Sequence, residues 1–143
     1  MLCLRRGMSP LEAEIKLPVE VQKMIAQSQD PQAVQVIVSD VIQLAEQAEI
    51  HFTAVQLQVL TNHLIEMINR SKSGEKLPAV DPQMFAEVSK KSLDLADQVV
   101  RHIGHLADAE KYVLSIHFEA AQNKIWSGDI LRLQLSRVNW RGF

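Results

Sequence analysis

Proline and glycine interrupt helices more strongly than any other residues, and in this chain they fall as punctuation. The prolines are Pro10, Pro18, Pro31, Pro78 and Pro82, and the glycines are Gly7, Gly74, Gly104, Gly128 and Gly142. From Gln32 to Ser73, from Gln83 to Ile103 and from His105 to Ser127 there is neither. Those stretches are rich in Ala, Leu, Gln, Glu and Lys, whose side chains lose little freedom in a helix. The pattern predicts an all-α protein, a compact bundle of about five helices.

Local signals place the helices. The first is expected from about Pro18 to Ser28, with Val21, Met24, Ile25 and Ser28 on one face. The second begins at Asp30-Pro31, a cap followed by a proline suited to the first turn. Val34, Ile37, Val38, Val41, Ala45 and Ala48 then mark an apolar stripe ending near Ile50. The third starts near Thr53, which has capping-box spacing with Gln56. Its apolar positions are Val59, Leu60, Leu64, Met67 and Ile68, and Gly74 is its stop. Ser71 to Val80 reads as a polar loop. A fourth is expected to start at Asp81-Pro82, bury Phe85, Val88, Leu93, Leu95, Val99 and Val100, and end at Gly104. The fifth runs from about Ala107 to Trp126, turning Val113, Leu114, Ala120 and Ala121 inward, with Gly128 after it. Leu131, Leu133 and Leu135 alternate with polar residues, a strand-like period in a locally basic tail. The expected divisions are an extension over 1–17, the helical domain over 18–126 and the tail over 127–143.

Composition bounds the function. A chain of 143 residues suits one domain, and 47% hydrophobic with 22% charged residues gives enough apolar material for one core. The net charge of -2 supplies no overall basic field for nucleic acid. A single cysteine, Cys3, provides neither an internal disulfide nor a metal framework. No apolar run is long enough to span a bilayer, and the segment before Met8, itself a possible start, is too short and too charged for a signal peptide. A cytoplasmic location is expected. There is no nucleophile elbow, phosphate-binding glycine loop or dinucleotide fingerprint. The residues therefore make no case for an enzyme, a cofactor or a bound metal.

Two histidines stand out. His63 follows Val59 and Leu60 by four and three residues and precedes Met67 by four, on or beside the stripe of the third helix. His117 stands in the same relation to Val113, Leu114, Ala120 and Ala121 on the fifth. Such a histidine is most simply a core residue bonded to a neighbour. Alternatively, a neutral imidazole nitrogen is a competent nucleophile, and a phosphoryl group on it would rearrange helical contacts. Arg70 lies seven residues after His63, and Glu110 seven before His117, each about 10 Å away along its own axis. That is too far for a direct pair within one helix. His102 and His105 are three apart but straddle Gly104, and His51 sits at a helix junction.

The contexts of the two histidines resemble a known family. The stretch LTNHLIEMINRSKSGEKLPAVDPQMF, Leu60 to Phe85, resembles the first signature of the PTS regulation domain (PRD). His63, Arg70, Gly74 and Asp81-Pro82 stand in the matching places. IGHLADAEKYVLSIHFEAAQN, Ile103 to Asn123, is similar to the second, matched by Asp108, Glu110, Ile116, His117, Phe118 and Ala121. The two occur in the family's order and at its usual separation, and the resemblance covers roughly Pro31 to Asn123. It implies a dimeric bundle of about five helices. It also implies that His63 and His117 accept phosphoryl groups from the phosphocarrier HPr or from sugar-specific transport components, with Asn62, Arg70 and Glu110 as supporting groups. Dimer packing would then govern an effector in carbohydrate-linked transcription control.

Two departures qualify the match. Asn62 stands where the family usually has Asp, keeping an acceptor but losing a charge. The chain has room for one copy of a domain usually found in tandem, with no recognisable helix-turn-helix or RNA-binding segment, so the expectation is either a module acting on a separate protein or a vestigial copy. The alternatives in order are a phosphorylated regulatory module, a structural or protein-interaction bundle in which both histidines are packing residues, and a small enzyme or metal protein. If the first holds, His63 and His117 should lie close together or on a shared dimer surface, despite the 54 residues between them.

Overall fold

The computed structural model describes residues 17–123. They form five helices: α1 (Val19–Gln27), α2 (Pro31–Gln47), α3 (Ala54–Ser73), α4 (Lys90–Ile103) and α5 (Ala109–Asn123). A short 3-10 turn, Pro82–Phe85, lies between α3 and α4. Among the described residues there is no strand. The alternating leucines of the tail, Trp126, Gly128 and most of the N-terminal extension lie outside them.

The caps explain most of the helix boundaries. Asp30 accepts the Ala33 N–H at 3.2 Å at the start of α2. α3 carries both halves of a capping box: Thr53 Oγ1 accepts the Gln56 N–H at 3.1 Å, and Gln56 Oε1 accepts the Thr53 N–H at 2.9 Å. Gly74 ends α3 at φ 84, in the left-handed region that suits glycine. Thr53→Ala removes one acceptor and leaves the N–H of Gln56 unmatched. It should cost about 1 kcal/mol in a urea titration, and a loss within error would mean water replaces the cap.

Three boundaries differ from the sequence expectation. α2 stops at Gln47, not near Ile50, because the chain makes a Schellman turn. Glu49 takes the left-handed position at φ 64. The N–H of Ile50 bonds the carbonyl of Ala45 at 2.8 Å, and that of Glu49 bonds Glu46 at 2.9 Å. The turn sends Ile50 back into the core, where it is buried. Asp81-Pro82 does not start the fourth helix. It starts the 3-10 turn, with Asp81 accepting the Gln83 N–H at 3.0 Å. This turn buries Phe85 against Tyr112, with ring centroids 5.5 Å apart. The helix proper begins after Ser89, whose hydroxyl accepts the Ser92 N–H at 3.2 Å. α3 also runs on through Ser73, into the segment expected to be loop.

Buried side chains from all five helices form one core, including Val21, Val38, Leu60, Leu64, Met67, Leu95, Leu114 and Phe118. Each large apolar side chain fully withdrawn from water contributes about 1.5–3 kcal/mol. α5 is the most enclosed element: every residue from Val113 to Ala121 is buried, as expected of a helix packed on several sides. Val59, expected on the buried stripe, is instead exposed. It falls on the outer flank of α3 with Val55, while Leu57, Leu60 and Leu64 hold the inner face. Among the described residues no helix is long and apolar enough to cross a membrane.

Candidate functional site

α3 and α5 run antiparallel, and their registers are matched. His63 faces His117, and Arg70 faces Glu110. The step of seven residues from His63 to Arg70 is answered by the step of seven from Glu110 to His117, read in the opposite direction. Neither helix pairs its own two residues. Each pair forms across the interface instead.

Nδ1 of His63 lies 3.1 Å from Nε2 of His117, with ring centroids 5.1 Å apart and planes inclined by 48°. Nε2 of His63 lies 3.7 Å from Oε1 of Glu110, an electrostatic contact longer than a hydrogen bond. Arg70 grips the same carboxylate with two bonds, Nε to Oε2 at 2.7 Å and one terminal nitrogen to Oε1 at 2.9 Å. This planar fork is the strong form of a carboxylate pair. All four side chains are buried: His63 is 1% exposed, His117 7%, Arg70 7% and Glu110 0%.

The proton positions follow from these contacts. A lone pair on Nε2 of His63 would face a carboxylate oxygen, so the network assigns the proton to that nitrogen. Nδ1 of His63 is then the acceptor, and the N–H at Nε2 of His117 donates to it. The result is a line of carboxylate, imidazole and imidazole.

Burial also sets the ionisation. It pushes the pKa of His63 below its ordinary value; Glu110 opposes that fall and Arg70 adds to it. Burial holds His117 well below its ordinary value, and any charge on His63 lowers it further. For Glu110 burial acts upward, but its contacts with His63 and Arg70 outweigh this and leave its pKa lowered. Both imidazoles are therefore neutral near neutral pH beside an ionised carboxylate.

The other residues singled out in the sequence lie elsewhere. Asn62 is half-buried beside His63 in the chain, but no hydrogen bond joins its side chain to either histidine among the described residues. His102 is exposed and pairs with Asp40 at 3.3 Å. His51 and His105 are exposed. Among the described residues no three His, Cys, Asp or Glu side chains are grouped to hold a metal ion.

A second polar cluster escaped the sequence reading. Glu119, two residues beyond His117 and buried, accepts from the Ser89 N–H at 3.0 Å, the Ser89 hydroxyl at 2.8 Å and the Ser92 hydroxyl at 2.8 Å. Gln122 adds bonds to both serines. The cluster ties the start of α4 to the end of α5. Its signal was a lone carboxylate between the apolar residues Phe118 and Ala120.

Comparison with known proteins agrees with this architecture. A family model described as the PRD domain matches residues 39–121. The chain is similar to a crystal structure of a PRD-containing transcription regulator from Lactobacillus casei ATCC 334, at 74% identity and a TM-score of 0.76. That match covers 78% of this chain and 100% of the other. No functionally curated protein matches significantly. The matched family model spans both histidines, Arg70 and Glu110, and the chain belongs to the PRD domain family.

Proposed function

We propose that this domain is a non-enzymatic regulatory module of the phosphotransferase-system type, switched by phosphorylation within the His63–His117 pair. The donor is HPr or a sugar-specific component of that system. The module acts in the cytoplasm through a homodimer or a separate effector protein, in carbohydrate-linked transcription control. The facing imidazoles, 3.1 Å apart at the α3–α5 interface, carry this reading. The similar Lactobacillus casei protein, a transcription regulator, supports the setting.

Two neutral rings in contact tolerate a small gap and no more. A phosphoryl group adds about 1.5 to 2 negative charges and three acceptor oxygens. Placed on either ring, it would bring that charge to the buried α3–α5 interface beside the Glu110 carboxylate and strain the contact between the helices. The same burial that makes the switch consequential also restricts the donor's approach, which is widest at His117, 7% exposed against 1% for His63. A structural or protein-interaction bundle without phosphoryl transfer is the second reading, and the enclosure of both imidazoles favours it.

Incubation with phosphoenolpyruvate, enzyme I and HPr, followed by mass measurement without acid, separates the two. The expected result is a phosphoryl adduct that one of His63→Ala and His117→Ala abolishes. An unchanged mass from folded protein, with HPr itself phosphorylated, supports the structural bundle. His63→Asp and His117→Asp place a fixed charge at the same interface and should alter the sedimentation profile. A profile identical to wild type would mean that charge here does not reach the assembly.

A further inference from the structure

We propose that His117 alone accepts the phosphoryl group, through Nδ1, and that His63 is the positioning residue that takes up the displaced proton. This inference rests on the phosphoryl-acceptor function proposed above and divides the labour within the pair.

The two histidines are not equivalent. Both ring nitrogens of His63 are engaged, Nδ1 by His117 and Nε2 by the Glu110 carboxylate. His117 uses only Nε2 against His63, which leaves Nδ1 as the nitrogen with no part in the line. The residual exposure of the pair also lies mainly with His117, at 7% against 1%. An attacking nitrogen needs a lone pair and an approach, and the ring it belongs to needs somewhere to send positive charge. Only Nδ1 of His117 has all three without dismantling the contacts behind it.

The step balances within these residues and a protein phosphohistidine donor. The Nδ1 lone pair of His117 forms the new N–P bond. The donor's N–P bond breaks, and its electron pair returns to the donor imidazole. The His117 ring gains positive charge, so its Nε2 proton passes along the 3.1 Å contact to Nδ1 of His63. His63 becomes an imidazolium facing Glu110, whose carboxylate Arg70 holds in place with two bonds. The carboxylate orients one imidazole, which in turn serves a nucleophile, as in other relays built from an acid, a base and an attacking group.

The test is site mapping on the wild-type full chain after transfer from phosphorylated HPr, with nitrogen-15 and phosphorus NMR to identify the nitrogen bearing phosphorus. One phosphoryl group on Nδ1 of His117 is expected, with both ring nitrogens of His63 moving to imidazolium shifts. His63→Asn keeps an acceptor for the His117 N–H but cannot take its proton. It should still be phosphorylated at His117, about 100-fold more slowly. Phosphorus on His63, on both residues or on Nε2 of His117 would overturn the assignment, as would a wild-type rate in His63→Asn. If that variant fails to fold, the wild-type mapping and the His63 shifts decide alone. No transfer to wild type from a demonstrably charged donor would overturn the acceptor function itself, and this assignment with it.

Discussion

Glu110→Ala lowers the unfolding free energy by about 3–5 kcal/mol. The cost comes less from the lost attraction than from what remains. Arg70 is 7% exposed, and its guanidinium directs two bonds at Glu110. Without the carboxylate, a full positive charge stays buried and loses the bidentate pair that balances it. Urea titration should show a lower midpoint with an unchanged slope, since the surface exposed on unfolding is nearly the same. The paired replacement Arg70→Met with Glu110→Leu removes both charges while keeping volume, and should recover most of the loss. A single-variant loss below about 1 kcal/mol, the range of solvent-screened surface pairs, would mean that the pair is not enclosed as described.

Acid should weaken the fold in two stages. His63 and His117 have folded pKa values below the ordinary 6.5. In the unfolded chain both protonate as the pH falls through that value, while the folded protein still holds them neutral. Their contribution is therefore complete above pH 6.5 and lost below it, as the pH approaches the folded values. Each proton taken up only by the unfolded state contributes about 1.4 kcal/mol per pH unit. Glu110, lowered from an ordinary 4.5, adds a second stage: its contribution is present above that value and lost below it. Urea titrations at stepped pH give the slope directly. His117→Gln should remove about half of it between the two stages. A stability flat from about pH 7 to about pH 5 would show that the folded imidazoles take up protons together with the unfolded ones and are not held neutral by burial.

The helices were legible where a cap and a periodic stripe coincided. Asp30-Pro31 and the Thr53–Gln56 box each named a helix start that the structure keeps. Asp81-Pro82 carried the same local signal but started only a 3-10 turn. The chemistry of one turn does not reveal how far a helix will continue. That was decided by Phe85 seeking Tyr112 and by Glu119 reaching Ser89 from another helix. The end of α2 was missed because Glu49, not glycine, takes the left-handed position.

At the site, the stripes of α3 and α5 marked His63 and His117 as inward-facing, and the signatures added Arg70 and Glu110. The pairing was not available from either helix alone. Distances along one axis argued against contact within a helix, and they were right. Contact depends on the direction in which the second helix runs and on its register, which only the folded chain fixes. Val59 shows the opposite limit: its spacing suited the stripe, yet it lies on the outer flank.

The matched steps of seven residues leave α3 and α5 joined like two rails by two rungs, one of imidazoles and one of opposite charges. A sliding motion shears both rungs together. It would strand Arg70 and Glu110 in the interior at the moment the histidines part. A splaying motion opens the histidine end and leaves the other rung closed as a pivot. The strongest contact in the interface therefore selects among its motions: the cheap one is angular, about the Arg70–Glu110 end, and it widens the gap most where His63 and His117 meet.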